Sequence, residues 1–285
     1  MHTRRIGAVE VSAVGLGAML MSLEGRPDEA RSLATIHAAL DAGVTLIDTA
    51  DAYHQGAADV GHNETLIAKA LASHDRGGDV LVATKGGHLR PGDGSWTLDG
   101  SPRHLKDACE ASLRRLGVEA IGLYQFHRPD PRVPYAESVG AIRDLLDEGK
   151  IRMAGISNAN PDQIRQANDI LGGRLVSVQN QFSPAFRSSE PELRLCDELG
   201  IAFLPWSPLG GISRAGELGS AHAPFARIAE AREVSPQRVC LAWMLAKSPV
   251  VVPIPGASRP GTIRDSAAAV DLALTAQELA ELDVV

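Results

Sequence analysis

Short apolar runs alternate along the whole chain with stretches in which apolar residues recur every three to four positions. The runs are Val14–Leu16, Thr45–Asp48, Val80–Thr84, Gly122–Phe126, Met153–Ile156, Val176–Asn180, Ala202–Pro205 and Val250–Ile254. Most are continuously apolar rather than alternating, as parallel strands covered on both faces require. Helix signals fill the intervals. Leu33, Ile36, His37 and Leu40 share one face at i, i+3, i+4 and i+7. Ser101-Pro102 sets an N-cap hydroxyl before a first-turn proline, and the stripe Leu105, Ala108, Cys109, Ser112, Leu116 stops at Gly117. Asn160…Gln163, Ser189…Glu192 and Thr275…Glu278 have capping-box spacing. Residues 223–233 and 236–248 read as two helices split by Ser235-Pro236, another short helix ends the chain, and Gly7 marks the turn of an N-terminal hairpin.

Strand then helix, repeated eight times, is the order of a (β/α)8 barrel. The expected architecture is one such α/β barrel, a single domain over residues 1–285 with an N-terminal hairpin and extra C-terminal helices. A doubly wound open sheet would need a glycine-rich dinucleotide loop after an early strand. Gly15-Leu16-Gly17-Ala18-Met19-Leu20 lacks the third glycine and a convincing helix behind it. Composition narrows the field further. With 28 Lys+Arg against 35 Asp+Glu the net charge is −7, so the chain carries no basic footprint for nucleic acid. No apolar run approaches the roughly 20 residues that a membrane-spanning helix needs. Three scattered cysteines, Cys109, Cys196 and Cys240, read as reduced core thiols of a cytoplasmic protein. Arg4-Arg5 before Val11–Leu23 imitates a twin-arginine export signal, but Glu10, three glycines and the lack of a small-residue cleavage site argue against export.

In such barrels chemistry gathers at the carboxyl ends of the strands. Those ends carry Asp48, Lys85, His127, Ser157-Asn158, Gln179-Asn180, Trp206-Ser207 and Ser258-Arg259, with Tyr53 just beyond Asp48. Charged residues closing buried strands need partners, because an isolated buried ion is costly. An ammonium beside a tyrosine favours the phenolate and lowers its pKa from about 10. An aspartate holds the lysine, and a histidine orients a carbonyl oxygen. Together they make a general-acid assembly suited to carbonyl reduction, without a metal or a serine nucleophile. No histidine lies at metal-site spacing.

Several motifs, in order, give the chain a family likeness. They are Leu46-Ile47-Asp48-Thr49-Ala50-Asp51-Ala52-Tyr53, Gly61-His62-Asn63-Glu64, Ala83-Thr84-Lys85, Leu123-Tyr124-Gln125-Phe126-His127, Gly155-Ile156-Ser157-Asn158 and Pro205-Trp206-Ser207-Pro208-Leu209. The chain resembles the aldo-keto reductases from about Ile6 to Leu282. The resemblance implies a tetrad of Asp48, Tyr53, Lys85 and His127, with Tyr53 the general acid, and NADPH in preference to NADH. It implies that Ser157, Asn158 and Gln179 hold the nicotinamide carboxamide and that Trp206 stacks on the ring. Ser207, Leu209 and Gly211 fall where the pyrophosphate would lie, and Ser258-Arg259 where the 2′-phosphate would be gripped. Asp265-Ser266 stand where the family commonly has Glu-Asn near the adenine, and Gly122 where an acidic residue is usual. The expected partner is a small-molecule carbonyl compound, and no oligomeric state is assigned. Trp96, in a loop over 86–100, is a candidate substrate wall, together with Met21 and Phe182. Two rival readings remain. One is an NADPH-binding regulatory subunit like the potassium-channel β subunits, with little turnover. The other is a Schiff-base lyase using Lys85.

Overall fold

The computed structural model describes residues 2–211 and 214–284. Two antiparallel strands, β1 (Thr3–Ile6) and β2 (Val9–Ser12), form the expected hairpin, with Gly7 at φ +56° in its turn. The main sheet takes β3 (Leu16–Gly17), β4 (Leu46–Asp48) and β5 (Leu81–Gly86). A small hairpin, β6 (His88–Leu89) with β7 (Thr97–Leu98), then interrupts it inside the 86–100 loop. The sheet resumes with β8 (Leu123–Phe126), β9 (Ala154–Ser157), β10 (Leu175–Gln179) and β11 (Ala202–Phe203), every neighbouring pair parallel.

The eighth position closes the barrel as irregular chain, although the sequence pattern predicts a regular strand at Val250–Ile254. The cause is Pro253 and Pro255. Val252 and Ile254 donate to the carbonyls of Phe203 and Pro205, while the carbonyls of Pro253 and Pro255 accept from Gly15 and Gly17. The prolines have no N–H to return toward β3, so that edge carries half a ladder. Single bridges at Phe203–Val251 and Gly17–Gly256 complete the (β/α)8 ring.

Leu46, Leu81, Ala83, Leu123, Ala202, Leu204, Val252 and Ile254 fill the ring, and Ile6 and Val11 of the hairpin plug it from below. Successive strand residues face opposite ways, so Ile47 and Tyr124 point outward to the helices. Those helices are α1 (Glu29–Asp41), α2 (His62–Ala72), α3 (Pro102–Leu116), α4 (Tyr135–Asp147), α5 (Pro161–Ile170) and α6 (Glu190–Leu199). There follow α7 (Leu218–Ala221), α8 (Ala223–Arg232), α9 (Pro236–Lys247), α10 (Pro260–Ala267) and α11 (Ala276–Asp283). Ser101, Asn160 and Thr275 cap their helices through side-chain oxygens as expected. Ser189 does not: its φ/ψ of −92°/14° lies outside the extended region that aims an N-cap oxygen at the helix. Gly122 leaves the space that Leu81 occupies, since a Cβ there would meet Leu81 Cδ1 at 2.6 Å. Among the described residues no helix is long and apolar enough to cross a membrane, and all three cysteines are free and buried.

Candidate active site

The barrel mouth is organised by one ion pair. Asp48 ends β4, and Lys85 lies in β5, the strand hydrogen-bonded to it. Both side chains are buried. Lys85 Nζ donates to the two Asp48 carboxylate oxygens at 2.5 Å each, to the Thr49 carbonyl at 2.7 Å and to the Tyr53 hydroxyl at 3.4 Å. The carboxylate also accepts from Gln179 Nε2 at 3.0 and 3.2 Å. Each buried charge thus has several partners that oppose its desolvation, although at Asp48 burial still prevails and raises the carboxyl above its ordinary pKa. Burial opposes the Lys85 charge, but Asp48 and Tyr53 outweigh it and hold the ammonium above its ordinary pKa. At Tyr53 the balance falls the other way. Burial raises the phenol above its usual value, and the Lys85 ammonium only partly opposes it. The ammonium by itself would lower the phenol, the direction expected from the sequence, and burial reverses it. A raised phenol remains protonated at neutral pH, with a cation in place to receive the negative charge that proton loss would create.

His127 follows β8 and meets Tyr53 edge-on, ring centroids 5.9 Å apart. Burial first, then Lys85, His88 and Arg128, press its pKa well below the ordinary imidazole value, so it is neutral. Its Nδ1 is buried without a hydrogen-bond partner among the described residues. His88 packs edge-on to His127 at 4.8 Å and against Trp96 at 4.7 Å, and burial with the Arg128 charge lowers its pKa to about 4.

Beside these groups opens a cavity of about 670 Å³. Tyr53, His127, Ser157, Asn158, Gln179 and Trp206 line it, as do Ser207, Leu209, Gly211 and Trp96. Ser157 Oγ donates to the Gln179 carbonyl at 2.7 Å and accepts from Asn158 Nδ2. Asn158 Nδ2 also donates to the His127 carbonyl, and Trp206 Nε1 donates to Asn158 Oδ1 at 3.2 Å. Asn158 and Ser207 hold left-handed backbone at φ +57° and +49°, an uncommon conformation for residues other than glycine and one that clusters at functional sites. Gly211, at φ +110°, borders the cavity, and a Cβ there would meet none of the described residues. A large trough lined by an indole, carboxamides, hydroxyls and bare backbone fits an extended nicotinamide dinucleotide.

The family motif around Gly61 braces this site from behind. Asn63 accepts from Thr49 Oγ1 at 2.6 Å and donates to the Ala18 carbonyl and Ser22 Oγ. Glu64, fully buried, accepts from Thr84 at 2.5 Å and from Arg115 at 2.6 Å.

Other expected positions fall elsewhere. Met21 and Phe182 are not on the cavity wall. Met21 is packed in the core beneath the mouth, and Phe182 stacks on Trp243 at 5.8 Å. Met19, Leu20 and Leu23 form the apolar wall instead. Ser258, Arg259, Asp265 and Ser266 lie beyond the cavity lining, on the segment entering α10 and on that helix. Arg259 is exposed at the helix N-cap, and Ser266 is buried. The Asp265 carboxylate is engaged by Arg238, at 2.7 and 3.1 Å, and by Ser235. His88 and Arg128 at the wall carry no sequence pattern, although Arg128 directly follows the motif histidine.

Fold and site together define a barrel with a tyrosine and a buried Lys85–Asp48 pair beside a cofactor-sized trough. The chain belongs to the aldo/keto reductase family, whose sequence model matches residues 13–285. An uncharacterized oxidoreductase of Schizosaccharomyces pombe is 33% identical over 287 residues, 99% of this chain and 89% of that protein. Among solved structures, the glycerol dehydrogenase of Gluconobacter oxydans superposes with a TM-score of 0.84 at 29% identity, covering 99% of this chain and 94% of that one. An aldo/keto reductase of Klebsiella pneumoniae, solved in complex with NADP and acetate, gives 0.83 at 28% identity with the same coverage.

Proposed function

We propose that this chain is an NADPH-dependent reductase that converts an aldehyde or ketone to an alcohol, with Tyr53 as general acid, in one cytoplasmic barrel domain over residues 1–285. The observation that carries the reading is the contact of Lys85 Nζ with the Tyr53 hydroxyl beside a trough that suits the cofactor. The Klebsiella relative's complex with NADP supports the same cofactor here. Ser157, Asn158 and Gln179 would hold the carboxamide and Trp206 the ring. Ser207, Leu209 and Gly211 would follow the pyrophosphate. Ser258, Arg259, Asp265 and Ser266 would meet the adenosine end. When bound, NADPH supplies the hydride that reaches the carbonyl carbon. Tyr53 gives its proton to the carbonyl oxygen as charge builds there. Lys85 stabilises the phenolate that remains, Asp48 holds Lys85, and neutral His127 donates an N–H to the same oxygen.

The direct test is a titration of tryptophan fluorescence with NADPH and NADH, followed by NADPH oxidation on a carbonyl panel. Saturable NADPH binding with turnover supports the reading, and binding without turnover on any carbonyl rejects it. The proton donor also sets a pH signature. Tyr53 is raised and stays protonated, and His127 is lowered and stays neutral. The reduction kcat is therefore expected to be flat from about pH 6 to 9, around the ordinary imidazole pKa of about 6.5. An inflection near 6.5 would show that His127 titrates in the working site.

Arg259 supplies a guanidinium suited to a phosphate dianion. Arg259→Ala is expected to weaken NADPH binding by about 10- to 100-fold, equivalent to about 1.5–3 kcal/mol for a charge-assisted contact. NADH binding is expected to change far less. Equal loss for both cofactors would remove Arg259 from the 2′-phosphate.

A further inference from the structure

Arg128 is a cation on the cavity wall for which the described residues supply no counter-ion. It directly follows His127, shares the cavity lining with His88 and Trp96, and is partly buried. The neighbouring charges are matched. Lys85 has Asp48, and Arg90, which lies over the Trp96 ring, pairs with Glu24. Around Arg128 burial alone depresses the guanidinium pKa, with no carboxylate opposing it, and its charge in turn works against protonation of His88 and His127. A partly desolvated guanidinium without an acid is unfavourable, and here it stands in a cavity that Met19, Leu20 and Leu23 also line. Apolar surroundings strengthen a charge-assisted hydrogen bond that forms there. The neutral histidines beside it add no competing charge.

We propose that Arg128 is a specificity residue that binds a carboxylate on the substrate, so that this enzyme acts on aldehydes or ketones carrying a carboxylate a few bonds from the carbonyl. The guanidinium fork matches a planar carboxylate, and one uncompensated cation calls for a monoanion. The proposal rests on the reductase reading, in which Tyr53 and His127 hold the carbonyl oxygen in the same cavity.

A matched substrate pair tests it: 4-formylbenzoate and its methyl ester, with wild type, Arg128→Gln and Arg128→Lys. Wild type is expected to favour the acid by about tenfold or more in kcat/KM, as a charge-assisted contact implies. In Arg128→Gln that ratio falls toward one through a higher KM for the acid, and Arg128→Lys, which keeps the charge, recovers part of it. An acid-to-ester ratio near one in wild type, or a ratio kept in Arg128→Gln, overturns the proposal. A binding arm separates the two readings. Benzoate and benzamide are titrated into the NADP-loaded protein and followed by tryptophan fluorescence. Benzoate binding that Arg128→Gln abolishes, without turnover of either aldehyde, keeps the anion site and rejects the reductase. Turnover of both aldehydes with no preference for benzoate does the reverse.

Discussion

Tyr53→Phe is expected to lower kcat/KM for carbonyl reduction by about 10²–10⁴-fold, the range a positioned general acid supplies. The substitution keeps the ring, which meets His127 edge-on, and removes only the oxygen 3.4 Å from Lys85 Nζ. Lys85 retains the Asp48 carboxylate and the Thr49 carbonyl as acceptors, so the ion pair persists. The groups proposed to hold the cofactor, Trp206, Asn158 and Ser157, are tied to one another and to the Gln179 and His127 carbonyls rather than to Tyr53. NADPH affinity by fluorescence titration is therefore expected to stay near that of wild type while turnover is lost. A variant that reduces the same carbonyl at the wild-type rate would take Tyr53 out of the proton-donor role. Loss of cofactor binding in parallel with turnover would assign the hydroxyl to holding the cofactor instead.

The positions of the four polar residues were legible in the chain because strand ends are legible. A continuous apolar run that stops on a charge, as at Ile47-Asp48, marks both the strand and its mouth end. What the run cannot carry is how the chain turns after it leaves the strand. Met21 belongs to a one-turn 3₁₀ segment, Met19–Met21, whose three side chains point about 120° apart. Met19 and Leu20 therefore face the cavity and Met21 the core, though all three are equally apolar in sequence. Phe182 lies two residues past Asn180, near the mouth in sequence, yet Phe203 and Trp243 hold its ring in the interior. Desolvation is also invisible along a chain. The Lys85–Tyr53 pairing could be read, but the upward shift of the phenol comes from burial, which only the packed barrel defines. The eighth strand shows the converse. Its apolar pattern was correct, and its two prolines announced in the sequence the half-ladder that the closed ring contains.

The largest stability effect is expected where the site and the core coincide. Asp48→Leu leaves the Lys85 ammonium buried with the Thr49 carbonyl and the phenol as its remaining acceptors. Removing one partner of a buried ion pair costs about 3–5 kcal/mol, because the other charge stays desolvated. Lys85→Met is destabilising for the mirror reason, with the Asp48 carboxylate then held by Gln179 alone among its side-chain partners. The double variant Asp48→Leu/Lys85→Met removes both charges and fills the space with apolar groups. It is expected to recover most of the loss, since apolar replacement of a whole buried pair is often neutral or stabilising. Reduction is expected to be lost in Lys85→Met and in the double variant, where no ammonium faces Tyr53, and to fall in Asp48→Leu, where the ammonium has lost the carboxylate that holds it. The sign of the pH dependence follows from the raised Lys85 pKa. Its stabilising contribution is complete below the unfolded lysine value of about 10.4 and is lost as pH rises through the higher folded value. Thermal melts across that alkaline range should thus narrow the gap between wild type and the double variant. If the double variant is as unstable as the singles, the pair is an element of the fold in its own right. If instead the double variant is stable and still reduces carbonyls, the ammonium has no part in setting the proton donor.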